Sequence, residues 1–75
     1  ITPYLVVQGA AKAIEFYREA FGASEVMRIP GPDGRVGHAE LQIGDGRIML
    51  ADEFPEMGHR SPSSLGGTPV SLLLY

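Results

Sequence analysis

The dipeptide Asp45-Gly46, set between two alternating segments, constrains the fold of this 75-residue chain more than any other feature. From Val36 to Ile43 apolar and polar side chains alternate, which is typical of a strand with one buried face. An Asp-Gly pair favours a two-residue type I′ turn, and residues 47–53 follow it as a second strand. A β-hairpin is therefore predicted. Its register places Ile43 opposite Ile48, Leu41 opposite Leu50, Glu40 opposite Ala51 and His38 opposite Glu53.

The predicted hairpin has two chemically different faces. The apolar face suits covering by a helix, and it consists of Leu41, Ile43, Ile48 and Leu50. The other face carries the polar side chains and consists of His38, Glu40, Gln42, Met49 and Glu53. A slip of one residue would mix the two faces, so the pattern favours a register that keeps them apart.

An amphipathic helix is predicted from Ala10 to Phe21, where the apolar period changes from two to about 3.6 residues. Gly22 marks its end, because glycine readily adopts the positive φ of a helix C-terminus. Gln8 and Gly9 make a weak N-cap. We expect Ile14, Tyr17 and Phe21 to dock on the apolar face of the hairpin, with Phe16 also in the core.

The remaining segments complete one module and begin another. Residues 4–7 and 24–29 are predicted strands, and Gly31-Pro32-Asp33-Gly34 is a turn. Residues 54–67 are rich in Pro, Gly and Ser and predict a connecting loop, while residues 69–75 are typical of a buried strand. The expected fold is α+β: a βαβββ module over residues 1–53, with one helix on an antiparallel-rich four-stranded sheet. Residues 68–75 would then be the first strand of a second module that is otherwise absent.

Composition excludes several classes of function. A net charge of −3, with six basic residues scattered singly, provides no stripe for nucleic acid and no attraction to an anionic membrane. No apolar run approaches the roughly 20 residues that span a bilayer. The absence of cysteine excludes disulfides and thiolate chemistry and leaves the cytoplasm as the default location. The missing initiator Met and the end at Tyr75 predict a segment of a longer chain.

The order of elements carries particular sequence motifs. These are AIEFYREAFGA in the helix, PDG in the turn, HAELQIGDGRIMLADE in the hairpin and SPSSLGGTPVSLLLY at the end. With these motifs the chain resembles the glyoxalase, bleomycin-resistance and extradiol dioxygenase superfamily, also called vicinal oxygen chelate, and specifically its PhnB-like branch. The resemblance implies two βαβββ modules whose curved sheet surrounds a ligand cavity.

The resemblance also indicates where metal ligands would lie. In metal-dependent members of the superfamily, ligands lie on the first strand of each module and late in each module's sheet. The matching positions fall near Thr2, on Glu40 and near Ser71, and of these only Glu40 is a good ligand. The resemblance implies a divalent metal such as Zn, Fe, Mn or Ni, held in part by Glu40.

The residues of the polar face allow two interpretations. His38, Glu40 and Glu53 could bring three donors to a metal. A carboxylate beside His38 could also act with it as an acid–base pair for proton transfer. Alternatively, His38 and a glutamate form a cross-strand pair that only stabilises the sheet. We expect substrate contacts from His38, Gln42, Met49 and Glu53. Asp52 is interpreted as a solvated charge at the end of a strand, and no catalytic residue is assigned.

Two functions follow from these observations. One is a metal-dependent lyase or dioxygenase that acts on a small molecule between paired modules. The other is a non-catalytic protein that binds and sequesters a small antibiotic-type compound, an alternative favoured by Thr2 and Ser71. A single module leaves a sheet edge uncovered, so we expect a homodimer in which residues 69–75 are central.

Overall fold

The computed structural model describes all 75 residues and confirms the α+β fold. Strand β1 (Tyr4–Val7) precedes helix α1 (Ala10–Phe21), and strands β2 (Ser24–Pro30), β3 (Val36–Ile43) and β4 (Gly46–Asp52) follow it. The predicted connection contains a single turn of 3₁₀-helix at Pro55–Met57 and a short helix α2 at Pro62–Leu65. Neither helix has the length and apolar character needed to cross a membrane.

The four strands form one mixed sheet in the order β1-β4-β3-β2. The hairpin strands β3 and β4 are antiparallel, as are β2 and β3, whereas β1 pairs with β4 in parallel. Parallel neighbours need a crossover connection. Here the connection from β1 to β4 consists of α1, β2 and β3. In the sheet, β1 and β2 are the two edge strands.

The hairpin turn lies one residue earlier than predicted. Its two central residues are Gly44 and Asp45, and Leu41 pairs with Ile48 rather than with Leu50. Gly44 has a φ of 56°, whereas Asp45 does not have a positive φ, which is the pattern of a type II′ turn with glycine first. The predicted register was therefore wrong by two residues. Because two is the side-chain period of a strand, the residues of β3 and β4 stay on their predicted faces.

Helix α1 begins without a capping side chain of its own. Its N-cap residue is Gly9, and the missing acceptor is supplied by the buried carboxylate of Asp52 at the end of β4. Oδ1 of Asp52 accepts the backbone N–H groups of Gly9 (2.9 Å) and Ala10 (2.8 Å), and Oδ2 accepts that of Val36 (2.7 Å). The interpretation of Asp52 as a solvated charge was wrong. It joins the helix start to the first residue of β3.

The core lies between α1 and one face of the sheet. Ile14 is fully buried against it, and Tyr17 packs there in part, as predicted. Phe16 and Phe21 are 59% and 42% exposed, so their placement in the core was wrong. They form an edge-to-face pair with each other, with ring centroids 5.9 Å apart, and Phe21 also stacks on Tyr17. The remaining buried members of the core are Ala10, Ala23, Val36, Ala39, Leu41 and Leu50.

Residues 69–75 form no strand in this structure. Their backbone makes no hydrogen bond with the sheet, and the apolar residues between Val70 and Tyr75 are all at least half exposed. A strand gains its stability from a paired neighbour. The second module to which these residues were assigned stays a prediction.

Candidate functional site

The face of the sheet opposite α1 carries the predicted site. Tyr4 of β1 pairs with Met49 of β4, Met49 stands opposite Glu40 of β3, and Glu40 stands opposite Met27 of β2. Laterally paired residues share a face. We call this surface the open face; it consists of Tyr4, Met27, Ile29, His38, Glu40, Gln42, Arg47 and Met49. The prediction that His38, Glu40, Gln42 and Met49 share one face is confirmed.

Glu40 is the most enclosed charged side chain of the open face, with 15% of it exposed. One carboxylate oxygen lies 3.4 Å from Nε2 of His38, and the other lies 3.4 Å from a guanidinium nitrogen of Arg47. Arg47 also donates to the amide oxygen of Gln42, at 3.1 and 3.2 Å. The half-buried carboxylate of Glu40 is thus paired with the guanidinium of Arg47 from the same chain.

Tyr4 belongs to this site although its sequence context did not single it out. Its hydroxyl lies 3.1 Å from Nδ1 of His38, and the two rings are 5.5 Å apart between centroids. The contact depends on β1 lying beside β4, which brings two side chains that are 34 positions apart in the sequence within reach of each other. The alternation of the hairpin could not reveal it. The only signal in the sequence was a polar tip at the start of an otherwise apolar strand.

Glu53 is not part of the open face, and its predicted position opposite His38 was wrong. β4 ends at Asp52, and the Glu53 carboxylate turns to the segment after the sheet. The Ser64 hydroxyl donates to it at 2.6 Å, the Ser61 N–H at 3.1 Å and the Gln8 amide at 2.6 Å. These hydrogen bonds, that of Ser64 above all, lower the pKa of Glu53 to about 2. The carboxylate ties the segment around α2 to the junction of β1 and α1.

We expect this carboxylate to make the folded chain sensitive to acid. Its pKa falls from an ordinary 4.5 to about 2 on folding, so the unfolded chain binds the proton more readily. The contribution of Glu53 is therefore complete above pH 4.5 and lost as the pH falls towards 2. Glu53→Gln should flatten the dependence of the unfolding midpoint on pH in that window. Glu56→Gln is the control, since that carboxylate is exposed and contacts only the Arg35 guanidinium, at 3.5 Å; equal flattening in both variants would contradict the prediction.

The donors on the open face do not by themselves fit a divalent metal. A protein site for such an ion needs at least three ligands. No group of three or more His, Asp or Glu side chains in this chain is arranged to hold one, because Glu53 lies elsewhere. Two candidate ligands remain on the open face. Both ring nitrogens of His38 contact protein groups, and the carboxylate of Glu40 faces Arg47. Glu40 as a metal ligand stays a prediction that requires donors from outside these residues.

A cavity lies next to this polar group. It measures about 450 Å³ and runs along the free edge of β1, between that strand and residues 60–72. Its lining is mainly apolar and includes Val7, Tyr17 and Leu65. Of the open-face residues only Tyr4 reaches it. Within this chain, the open face is a shallow surface next to a groove rather than a closed cavity.

Comparison with known proteins gave one family and a small group of relatives. Residues 2–71 match the model of the Glyoxalase/Bleomycin resistance protein/Dioxygenase superfamily. The uncharacterized proteins Mb0911c of Mycobacterium bovis and Rv0887c of Mycobacterium tuberculosis are each 52% identical over 77 residues. These alignments cover 99% of this chain and 51% and 45% of the relatives. The chain thus spans about half the length of the curated relatives it matches, and no solved structure matches it significantly.

Proposed function

This chain belongs to the Glyoxalase/Bleomycin resistance protein/Dioxygenase superfamily, and on that premise we propose that it binds a small molecule on the open face of its sheet. The observation that carries the proposal is the half-buried line of polar groups from Tyr4 through His38 to Glu40. This line joins side chains of β1 and β3, and in it each polar group is held by hydrogen bonds to its neighbour. Such a line is suited to orienting a ligand.

The surroundings of the polar line define the kind of ligand. Met27 and Ile29 border it on the β2 side, and Met49 lies between Tyr4 and Glu40, so most of the adjoining surface is apolar. Sites for small molecules typically combine an apolar lining with a few placed polar groups. We propose a ligand with a flat or flexible apolar body and one polar group that reaches Glu40 or Arg47.

Binding without a metal is the form of this function that the chain supports best. The carboxylate assigned to the metal already faces Arg47, and its neighbour His38 has no free nitrogen. A lyase or dioxygenase would need further ligands from the half of the relatives that this chain does not cover. Such an enzyme is the second candidate. The PhnB-like branch and a cytoplasmic location stay predictions.

The proposal can be tested through the three methionines, since two lie on the open face and one does not. We expect single-ring aromatic alcohols, acids and amines, titrated into methyl-labelled protein, to shift the NMR signals of Met27 and Met49. Met57, which is 70% exposed in the connection, is an internal control for non-specific contact with apolar groups. The proposal fails if no compound moves Met27 and Met49 more than Met57.

We also propose that the face is completed by a second copy of the chain or by the remaining half of a longer protein. The apolar side chains of residues 70–75 are at least half exposed, which is unfavourable for an isolated chain in water. A homodimer joined through these residues would cover them. Light scattering over a dilution series measures this directly, and a constant monomer mass at high concentration would exclude the homodimer.

A further inference from the structure

His38 is held at both ring nitrogens, by groups from two different strands. Nδ1 meets the hydroxyl of Tyr4 on β1 at 3.1 Å, and Nε2 meets the carboxylate of Glu40 on its own strand at 3.4 Å. The Tyr4 and His38 rings are tilted by 46°, so they meet through the hydroxyl and the ring edge rather than by stacking. The imidazole therefore has little freedom to turn.

The two partners together determine which nitrogen of His38 carries the proton. A carboxylate can only accept a hydrogen bond, and that of Glu40 is paired with the Arg47 guanidinium. Nε2 must therefore be the N–H that donates to Glu40. In the neutral ring Nδ1 is then an acceptor, so the Tyr4 hydroxyl must be the donor. Its oxygen keeps its lone pairs free for another group.

We propose that Tyr4 is a positioning residue of the open face, which holds His38 as the Nε2–H tautomer directed at Glu40 by donating its hydroxyl proton to Nδ1. Tyr4 then presents a hydrogen-bond acceptor to a bound molecule. Glu40 also presents only acceptor atoms. A ligand that brings an O–H or N–H group to this end of the face is preferred over one of the same shape without it. This preference rests on the proposed function, whereas the tautomer does not.

The tautomer can be measured on the full chain with ¹⁵N-labelled histidine, at a pH where imidazole is neutral. We expect His38 to show a protonated Nε2 and a hydrogen-bonded, unprotonated Nδ1. Tyr4→Phe should move the Nδ1 signal towards that of a pyridine-type nitrogen without a donor. Tyr17→Phe, which removes a hydroxyl from the helix side of the sheet, should leave it in place. A protonated Nδ1 in the unaltered chain overturns the proposal, and so does an Nδ1 signal that Tyr4→Phe does not move or that Tyr17→Phe moves equally.

The ligand preference is tested with phenol and methoxybenzene, which differ in one hydroxyl proton. Tyr4→Phe should weaken phenol binding about fivefold, the effect of one neutral hydrogen bond, and leave methoxybenzene binding unchanged. An equal effect on both compounds overturns the preference. If neither compound shifts Met27 or Met49 in the unaltered chain, the proposed binding function fails for this class. The tautomer measurement then still decides the role of Tyr4.

Discussion

Replacing Asp52 with alanine should destabilise the chain by about 3–5 kcal/mol, because three backbone N–H groups would lose their common acceptor. Asp52 is only 8% exposed, and its oxygens accept from the helix start and from Val36 at 2.7–2.9 Å. A chain of this length is stabilised by only about 4–11 kcal/mol in total. Urea unfolding followed by circular dichroism should show a midpoint far below that of the unaltered chain.

Two variants make the Asp52 result specific. Asp52→Asn keeps the shape and one acceptor oxygen, but turns a donor towards Val36, so its loss of stability should be intermediate. Asp45→Asn makes the same chemical change at an exposed turn position and should have an effect within about 0.5 kcal/mol. If Asp52→Ala unfolds at the same urea concentration as Asp45→Asn, Asp52 does not hold the helix start.

Ile14→Ala should have the second large effect, a loss of about 2–5 kcal/mol, since it removes a fully buried side chain and leaves a cavity. Ile14 is the main apolar contribution of α1 to the core. The control on the same helix is Phe16→Ala. That side chain is larger but 59% exposed, so its removal should cost less than about 1 kcal/mol. Thermal unfolding compares the two variants. A greater loss of stability from Phe16→Ala would contradict the packing of the Ile14 face of the helix against the sheet.

The strand faces could be predicted from the sequence even though the register of the hairpin could not. Gly44-Asp45 and Asp45-Gly46 both satisfy the chemistry of a two-residue turn, and the alternatives differ by two positions in pairing. An even shift returns every side chain to its own face. For that reason Glu40 and Met49 were correctly placed on one surface from an incorrect register.

The roles of individual residues were missed wherever they depend on the pairing of β1 with β4. That pairing is parallel and joins residues about 45 positions apart, so no local pattern reports it. Asp52 was interpreted as a strand-end charge and Glu53 as a residue of the polar face, yet the first accepts from the helix start and the second from Gln8. Tyr4 meets His38 for the same reason. Periodicity predicts the face of the sheet to which a side chain points. Its contact partner on another strand can be identified only when the order of the strands in the sheet is known.

The capping of α1 by Asp52 also bears on the order in which the chain folds. The first turn of the helix has no local acceptor, and the one that it uses lies 42 residues further along the chain. Contacts of such separation form only after a long loop has closed, and that closure slows folding. We therefore expect the start of α1, β1 and the end of β4 to become ordered in the same late step. A peptide that ends at Gly22 would keep a frayed first turn.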